Sequence, residues 1–394
     1  MIIGINCIGI DPEYTGGINS FTTGLLDAFA RIDTNHCFTI FITKDNKYFF
    51  NKYSSIKHFQ ITEVELPSKR FISIEWKSIK FNSAWIYKNV RNLVYNKQMR
   101  FIDNNCNILY TPTTTLFSYN SRVVNILSMH DIQQVHFPYF FSKLELLIRK
   151  ITYYLSAKNV DFIQTSSNYI TEDFLKYFSF LKREQLVCIS EGVDIDNFKT
   201  SGKPTAVLNK YNLPDKFVFF PAQLWHHKNH ITLLKALLWI KEEKRISIPL
   251  ILTGAKYSSS KDVFDFIEKN KLNNVFYLGK IPFEDIIRLY QCASFLITTS
   301  LHESSCLPIL EAAAAGVPII ASDISPNIEM SKNICMNLFP VKDYVALGEL
   351  ILKLWNDNKL ISEQVKSNLV SIEKYSWNNV AKKYLTLFEK IYEN

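Results

Sequence analysis

The sequence predicts an α/β protein built from two open, mostly parallel sheets, and three observations carry that expectation. Short apolar runs alternate with helix-length periodic segments, the pattern of strands joined by crossover helices. The alternation stops at a polar stretch, Lys199-Thr-Ser-Gly-Lys-Pro204, and then restarts. The 394-residue length suits two domains at roughly 100–200 residues each.

In the first half, Ile2–Ile10 reads as a buried strand, Ile18–Ala30 as a helix and Cys37–Thr43 as a second strand. Asn107–Tyr110 and Val123–Ser128 are short buried-strand candidates, and the helix-like Lys143–Ala157 leads into the strand Phe162–Thr165. The second half offers strands at Phe217–Phe220, Pro249–Thr253, Val275–Leu278, Phe295–Thr299 and Val317–Ala321. Gly254 and Gly279 punctuate the second and third of these, and a helix at Ile231–Lys241 follows the first. A helical pattern at Trp377–Tyr392 closes the chain. The expected domains are 1–195, completed by the closing helix 376–394, and 205–375, with the junction near 195–205.

Composition narrows the class. With 47% hydrophobic and 21% charged residues, wholesale disorder and collagen-like structure are excluded. A mean hydropathy of -0.02 argues against a polytopic membrane protein. The sequence also lacks the ~18 uninterrupted apolar residues that a spanning helix needs. The apolar start, Met1 to Ile10, lacks a basic leader and a small-residue cleavage site, so it is expected as a first strand and not a signal peptide. Seven cysteines without a CxxC pair indicate neither a disulfide framework nor a zinc ribbon, and they fit a reducing cytoplasm.

The net charge of +8 is concentrated. Residues 66–100 hold Lys69, Arg70, Lys77, Lys80, Lys88, Arg91, Lys97 and Arg100 against a single acid, Glu75. Phe71, Trp76, Phe81, Trp85, Tyr87 and Tyr95 are interleaved with them. Such a segment suits an anionic membrane surface, with an ordinary amphipathic helix carrying snorkelling lysines as the competing reading. Nucleic acid stands below both, and no nucleic-acid partner is expected.

Ligands of open α/β sheets bind outside the carboxyl ends of the strands, so the chemistry is sought in strand-to-helix turns. Two such sheets face to face would frame a cleft for a small ligand. The richest turn is Thr298-Thr-Ser-Leu-His-Glu303-Ser-Ser-Cys-Leu-Pro308-Ile-Leu-Glu311. Pro308 suits the first turn of a helix, where its missing N–H costs nothing. The amides of Ser304, Ser305, Cys306 and Leu307 would then sit at a helix N-terminus, a ready anion site. Two carboxylates eight residues apart, Glu303 before the helix and Glu311 expected in its first turn, repel phosphate and suit hydroxyls. A surface acid favoured by the helix dipole is the competing reading for Glu311, and a solvated loop acid that for Glu303.

Glu303 and Glu311, followed by Ala-Ala-Ala-Ala-Gly-Val-Pro and Ala321-Ser-Asp, resemble the C-terminal signature of the retaining glycosyltransferases of family 4. Those of bacterial polysaccharide and O-antigen assembly are the nearest in style. The resemblance extends to Gly16-Gly17, Met129-His130-Asp131, Thr165-Ser-Ser-Asn168, Glu191-Gly-Val-Asp194 and Pro221-Ala-Gln-Leu-Trp-His-His-Lys228-Asn229-His230. It implies the GT-B fold, two Rossmann-like domains facing across a donor and acceptor cleft. Two departures stand out. Gln223 replaces a frequent arginine, leaving Lys228 and loop amides to hold the diphosphate. Ser304-Ser305-Cys306 stands where Gly-Phe-Gly is common, narrowing the loop beside the donor sugar.

The implied chemistry is transfer of a sugar from a nucleotide sugar to a lipid-linked or soluble glycan. Stabilising the leaving diphosphate is then the chief electrostatic task. Glu303 would orient the sugar and Glu311 hold the ribose, while Gly16, Gly17, Gln223, Lys228 and residues 304–307 bind the donor. His130 joins Glu303 as a catalytic candidate, a structural histidine being the competing reading. Asp131 and the basic, aromatic residues Lys69, Arg70, Trp76, Lys77, Lys80, Trp85, Lys88 and Arg91 would lie on the acceptor and membrane side. No cofactor and no metal is expected. Asp194-Ile-Asp196 fits the Asp-x-Asp metal-binding pattern but lies in the junction, and the histidines 226, 227 and 230 have no carboxylate neighbour in sequence. GDP-mannose is the preferred donor, and the inner face of the plasma membrane the expected location. A nucleotide-sugar epimerase and a degenerate binding subunit are the alternatives.

Overall fold

The computed structural model describes residues 1–11, 17–199 and 205–393, with backbone alone at 358–361. Gly16 and most of the polar stretch, 200–204, lie outside the described residues. Contacts divide the chain into two units, 1–191 with 377–394, and 192–376. The division falls a few residues before the junction near 195–205, because Val193, Ile195 and Phe198 are buried in the second unit's core.

In the first unit, seven parallel strands run β3-β2-β1-β4-β5-β6-β7. They are β1 (Ile2–Asn6), β2 (Cys37–Ile42), β3 (Phe59–Glu63), β4 (Ile108–Thr111), β5 (Val124–Ser128), β6 (Phe162–Thr165) and β7 (Leu186–Cys188). Alternate residues pack on opposite faces, as the pleat requires: Tyr110 and Ile126 on one, Leu109 and Leu127 on the other. β1 ends at Asn6, short of the expected Ile10. The Asn6 carbonyl side chain accepts from Ile8 N at 3.2 Å and Cys7 O from Ile10 N at 3.1 Å, which turns the chain out of the sheet.

The closing helix Trp377–Glu393 belongs to this unit and packs on the helix Gly17–Arg31. It buries Trp377, Val380, Ala381, Tyr384, Phe388 and Ile391, one stripe at helical spacing. Gly24 makes the crossing close: a Cβ there would stand 2.2 Å from the Trp377 indole.

In the second unit, six parallel strands run β10-β9-β8-β11-β12-β13. They are β8 (Val218–Pro221), β9 (Leu250–Thr253), β10 (Val275–Tyr277), β11 (Phe295–Thr298), β12 (Ile319–Ser322) and β13 (Asn337–Phe339). Both sheets reverse their strand order beside their first strand. The switch points therefore lie between β1 and β4 and between β8 and β11, where α/β sheets hold ligands. Among the described residues no helix is long and apolar enough to cross a membrane.

Candidate active site

The second unit's switch point is built by two loops, 222–229 after β8 and 299–306 after β11. They are tied together by backbone and short polar side chains. Leu301 N donates to His227 O at 2.7 Å, and Thr299 Oγ1 reaches the carbonyls of Lys228 and Asn229 at 3.0 and 2.9 Å. Asn229 adopts a left-handed φ of 54° and donates from Nδ2 to Thr299 O at 3.1 Å. Its short polar side chain tolerates that backbone. A third loop closes on the first where Gly254, at φ 123°, lies against Ala222: a Cβ there would meet the Ala222 carbonyl at 2.5 Å.

This scaffold brings Lys228 and Glu303 together. Lys228 Nζ donates to Glu303 Oε1 at 2.6 Å, and Ser300 Oγ donates to the same oxygen at 2.6 Å. Glu303 is 8% exposed, so it is no solvated loop acid. The helix that follows, Leu307–Ala314, carries Pro308 in its first turn as expected. Among the described residues the amides of Ser305, Cys306 and Leu307 donate to no protein acceptor outside the helix ladder. Ser305 Oγ is buried and also unpartnered. Burial pushes the neighbouring Cys306 thiol up to about 12, so it stays protonated at neutral pH. Cys306 Sγ lies 3.9 Å from Thr298 Oγ1.

Glu311 is the fifth residue of the helix and so sits in its second turn, not its first. Tyr290 OH donates to Glu311 Oε2 at 2.7 Å. Desolvation raises the Glu311 carboxyl to about 7, and the Tyr290 hydrogen bond opposes that shift. A folded-state value above the unfolded one means stability is full below the ordinary carboxylate range and is lost as pH rises through about 7. The interval from 4.5 to about 7 corresponds to a loss on the order of 3 kcal/mol. Glu311→Gln is therefore expected to flatten the decline in melting temperature of the empty protein between these pH values. An unchanged slope would place that titration elsewhere.

Gln223 Oε1 accepts from Trp225 Nε1 at 2.9 Å, and the Trp225 ring stacks on Tyr257 with centroids 4.0 Å apart. The Gln223 side chain, expected at the donor, is thus tied to an indole through its oxygen. Ser300, Tyr290, Thr299 and the Trp225–Tyr257 stack escaped sequence reasoning. Ser300 lay inside the motif, whereas Tyr290 and Tyr257 have no local signal tying them to it. His227, beside Lys228, is held well below its usual range by burial, then by the Lys228 charge. His230 falls to about 3 by burial. Among the described residues no three His, Cys, Asp or Glu side chains gather as a metal-holding group.

In the first unit, His130 follows β5 and its Nε2 lies 3.2 Å from Pro112 O, just after β4. Burial lowers its pKa against that hydrogen bond, and Phe21 packs edge-on at 5.5 Å. Asp131 Oδ1 accepts from Gln133 N at 3.2 Å. Gly17 opens its helix exposed, and a Cβ there would meet open space, so neither packing nor a positive φ demands glycine.

The basic segment forms two packed helices, Lys69–Ser78 and Ala84–Asp103. Lys69, Arg70, Lys77 and Lys80 are exposed, as are Trp76 and Trp85. Arg91 is a correction to the expected surface stripe. Its side chain is turned inward onto Glu75, which is fully buried, at 2.6 Å, and it donates to Phe117 O and Leu116 O at 3.1 and 3.2 Å. Tyr87 donates to the same Glu75 oxygen. Lys88 is also engaged, donating to Asn159.

Residues 208–368 match the family model of glycosyl transferases group 1. They are a group 1 glycosyltransferase domain. Among relatives, the O-antigen chain mannosyltransferase B of Escherichia coli is 24% identical over 260 residues, 64% of this chain and 67% of that protein. The GDP-mannose:cellobiosyl-diphosphopolyprenol alpha-mannosyltransferase of Xanthomonas oryzae pv. oryzae is 25% identical over 206 residues, 51% of this chain and 52% of that protein. The Anabaena HepE structure in complex with UDP and glucose superposes with a TM-score of 0.74 at 16% identity, covering 99% of this chain and 100% of that one. The WaaG structure, a glycosyltransferase involved in lipopolysaccharide biosynthesis, gives 0.69 at 13%, covering 97% and 98%. The GT-B fold is thus shared across the chain, and the Lys228–Glu303 pair and Glu311 lie inside the group 1 glycosyltransferase domain.

Proposed function

We propose that the chain is a retaining, metal-independent glycosyltransferase of family 4. It moves a sugar, mannose from GDP-mannose foremost, onto a lipid-linked glycan at the inner face of the plasma membrane. The Lys228–Glu303 pair at the β8/β11 switch point carries the reading. Cleaving the anomeric bond develops charge on the leaving diphosphate. Lys228 and the unpartnered amides of 305–307 supply fixed positive ends for it, and such preorganised donors act without reorganisation cost. Glu303, fixed by Ser300, orients the sugar hydroxyls, and its contribution is positioning. Glu311, tethered by Tyr290, holds the ribose. The leaving phosphate helps take the acceptor's proton. His130, kept neutral by burial, is a hydrogen-bonding group toward substrate.

Mannose is favoured by the form of the 221–230 loop and by the mannosyltransferase relatives, and a lipid-linked acceptor by the diphosphopolyprenol in one relative's name. A nucleotide-sugar panel read by melting temperature tests the donor. A ligand at 100 times its Kd stabilises by about 2.7 kcal/mol. GDP-mannose is expected to give the largest shift, and sugar release in product only when an acceptor is present. Conversion of the donor without acceptor would mark an epimerase, and binding without turnover a degenerate subunit.

The membrane reading rests on an inverted helix. Lys69–Ser78 buries Glu75 and turns Phe71, Ile74 and Trp76 outward, and Phe81, Trp85 and Leu93 are 70%, 74% and 80% exposed next to it. Large apolar groups beside lysines suit the head-group boundary of an anionic bilayer. The Phe81→Ser, Trp85→Ser double variant is expected to bind phosphatidylglycerol vesicles at least about tenfold more weakly. Wild-type binding should fall as salt rises. Equal sedimentation of variant and wild type would contradict this surface.

A further inference from the structure

A cavity of about 680 Å³ opens in the first unit. Its walls come from the middle of the helix Lys143–Asn159, the end of the helix Asn168–Tyr177 with the turn after it, and residues 82 and 84 ahead of and within the helix Ala84–Asp103. That volume lies in the range of small-molecule sites, roughly 300–1,000 Å³. Arg149 and Lys150 are the charged residues on its wall, and no acidic residue lines it.

Arg149 is preorganised by neutral groups. Its guanidinium donates to Tyr153 OH at 2.9 Å and sits 4.5 Å over the Phe141 ring. The acid one turn earlier, Glu145, is occupied by the Ser142 capping box. Neither Arg149 nor Lys150 has an ion-pair partner among the described residues. The lining is also aromatic: Tyr154 meets Phe180 edge-on at 5.5 Å, and Phe178 lies 5.7 Å from Phe180. Tyr177 and Phe180 are exposed at the mouth. The lining residues Asn82 and Ala84 directly adjoin Phe81 and Trp85, the most exposed aromatics of the basic surface.

We infer that this cavity binds the phosphate-bearing head of an anionic lipid, with the first carbons of its chains against the aromatic wall. Two cations on a wall that no acidic residue lines select a phosphate, charge-assisted hydrogen bonds being the stronger kind. Aromatic walls select an amphiphile over a bare anion. Continuity with Phe81 and Trp85 puts the mouth at the level where a bilayer's head groups would lie; here the inference rests on the membrane-surface reading above.

The test uses a short-chain lipid that stays monomeric, so that cavity and bilayer are read separately. Dihexanoyl phosphatidylglycerol below its micelle concentration is expected to bind the full-length protein saturably and raise its melting temperature. Dihexanoyl phosphatidylcholine should bind at least about tenfold more weakly, and inorganic phosphate should give no shift. Lys150→Gln, at an exposed position, is expected to raise the Kd about tenfold, and Arg149→Gln at least as much. The Phe81→Ser, Trp85→Ser variant should keep monomer binding while losing vesicles. Absence of saturable binding, or binding indifferent to Lys150→Gln, overturns the site, as does an equal response to inorganic phosphate. If vesicles bind and the monomer does not, the cavity inference fails alone. If the monomer binds and vesicles do not, the surface reading fails instead.

Discussion

Glu303→Ala is expected to lower sugar-transfer turnover on the order of 10²–10³-fold, the scale of removing one preorganised polar group from an active site. The same change should leave nucleoside-diphosphate affinity intact or improved. Glu303 Oε1 accepts from Lys228 Nζ at 2.6 Å, so part of the lysine's charge is already engaged. Removing the carboxylate takes away that contact and the negative charge beside the diphosphate. Lys228→Ala works in the opposite direction. It leaves a buried carboxylate facing the incoming phosphates, and like-charge repulsion adds to the lost contact. Binding and turnover should therefore separate in Glu303→Ala and fall together in Lys228→Ala. Isothermal titration with GDP, beside initial rates, reads both. An unchanged rate in Glu303→Ala would remove Glu303 from the mechanism.

Arg91→Met is expected to destabilise the protein by about 3–5 kcal/mol, the range for breaking a buried ion pair from one side. Glu75 is fully buried, and among the described residues its Oε2 finds no partner, so Arg91 and Tyr87 on Oε1 are what compensate its burial. The guanidinium is also ringed by the faces of Tyr87, Tyr95 and Tyr119 at 5.9, 5.2 and 5.9 Å. Lys77→Gln, on the exposed side of the same helix pair, should change stability by less than about 0.5 kcal/mol. Chemical denaturation of the two variants separates a structural from a surface basic residue. If both behave alike, the Glu75–Arg91 pair does not hold these helices together.

That contrast shows where sequence reading stops. Eight basic residues in thirty-five look alike as a string, and only the packing of one helix on the other turns Arg91 inward while Lys77 stays out. The central strands were legible because they are short, apolar and buried on both faces. The strands β3, β7 and β13 escaped: each is a sheet edge with mixed burial, where the apolar signal fades, whereas the edge strand β10 kept an apolar run that the sequence shows. At the site, Glu303, Lys228 and Glu311 were legible through a contiguous motif and a loop. Tyr290, twenty-one residues before Glu311, is brought to it only by the helix ending ahead of β11. The bond from Trp225 Nε1 to Gln223 Oε1 depends on how the loop turns, which the loop's sequence does not state.

The most direct test of retaining transfer at the Lys228–Glu303 site is the anomeric configuration of the product. Purified protein, the donor selected by the panel and a lipid-linked acceptor are incubated together, and the new glycosidic bond is read by proton NMR. The expected product carries the donor's own anomeric configuration, forms only with acceptor, and is lost in Glu303→Ala. An inverted bond, or the same product at an undiminished rate from Glu303→Ala, would contradict the account.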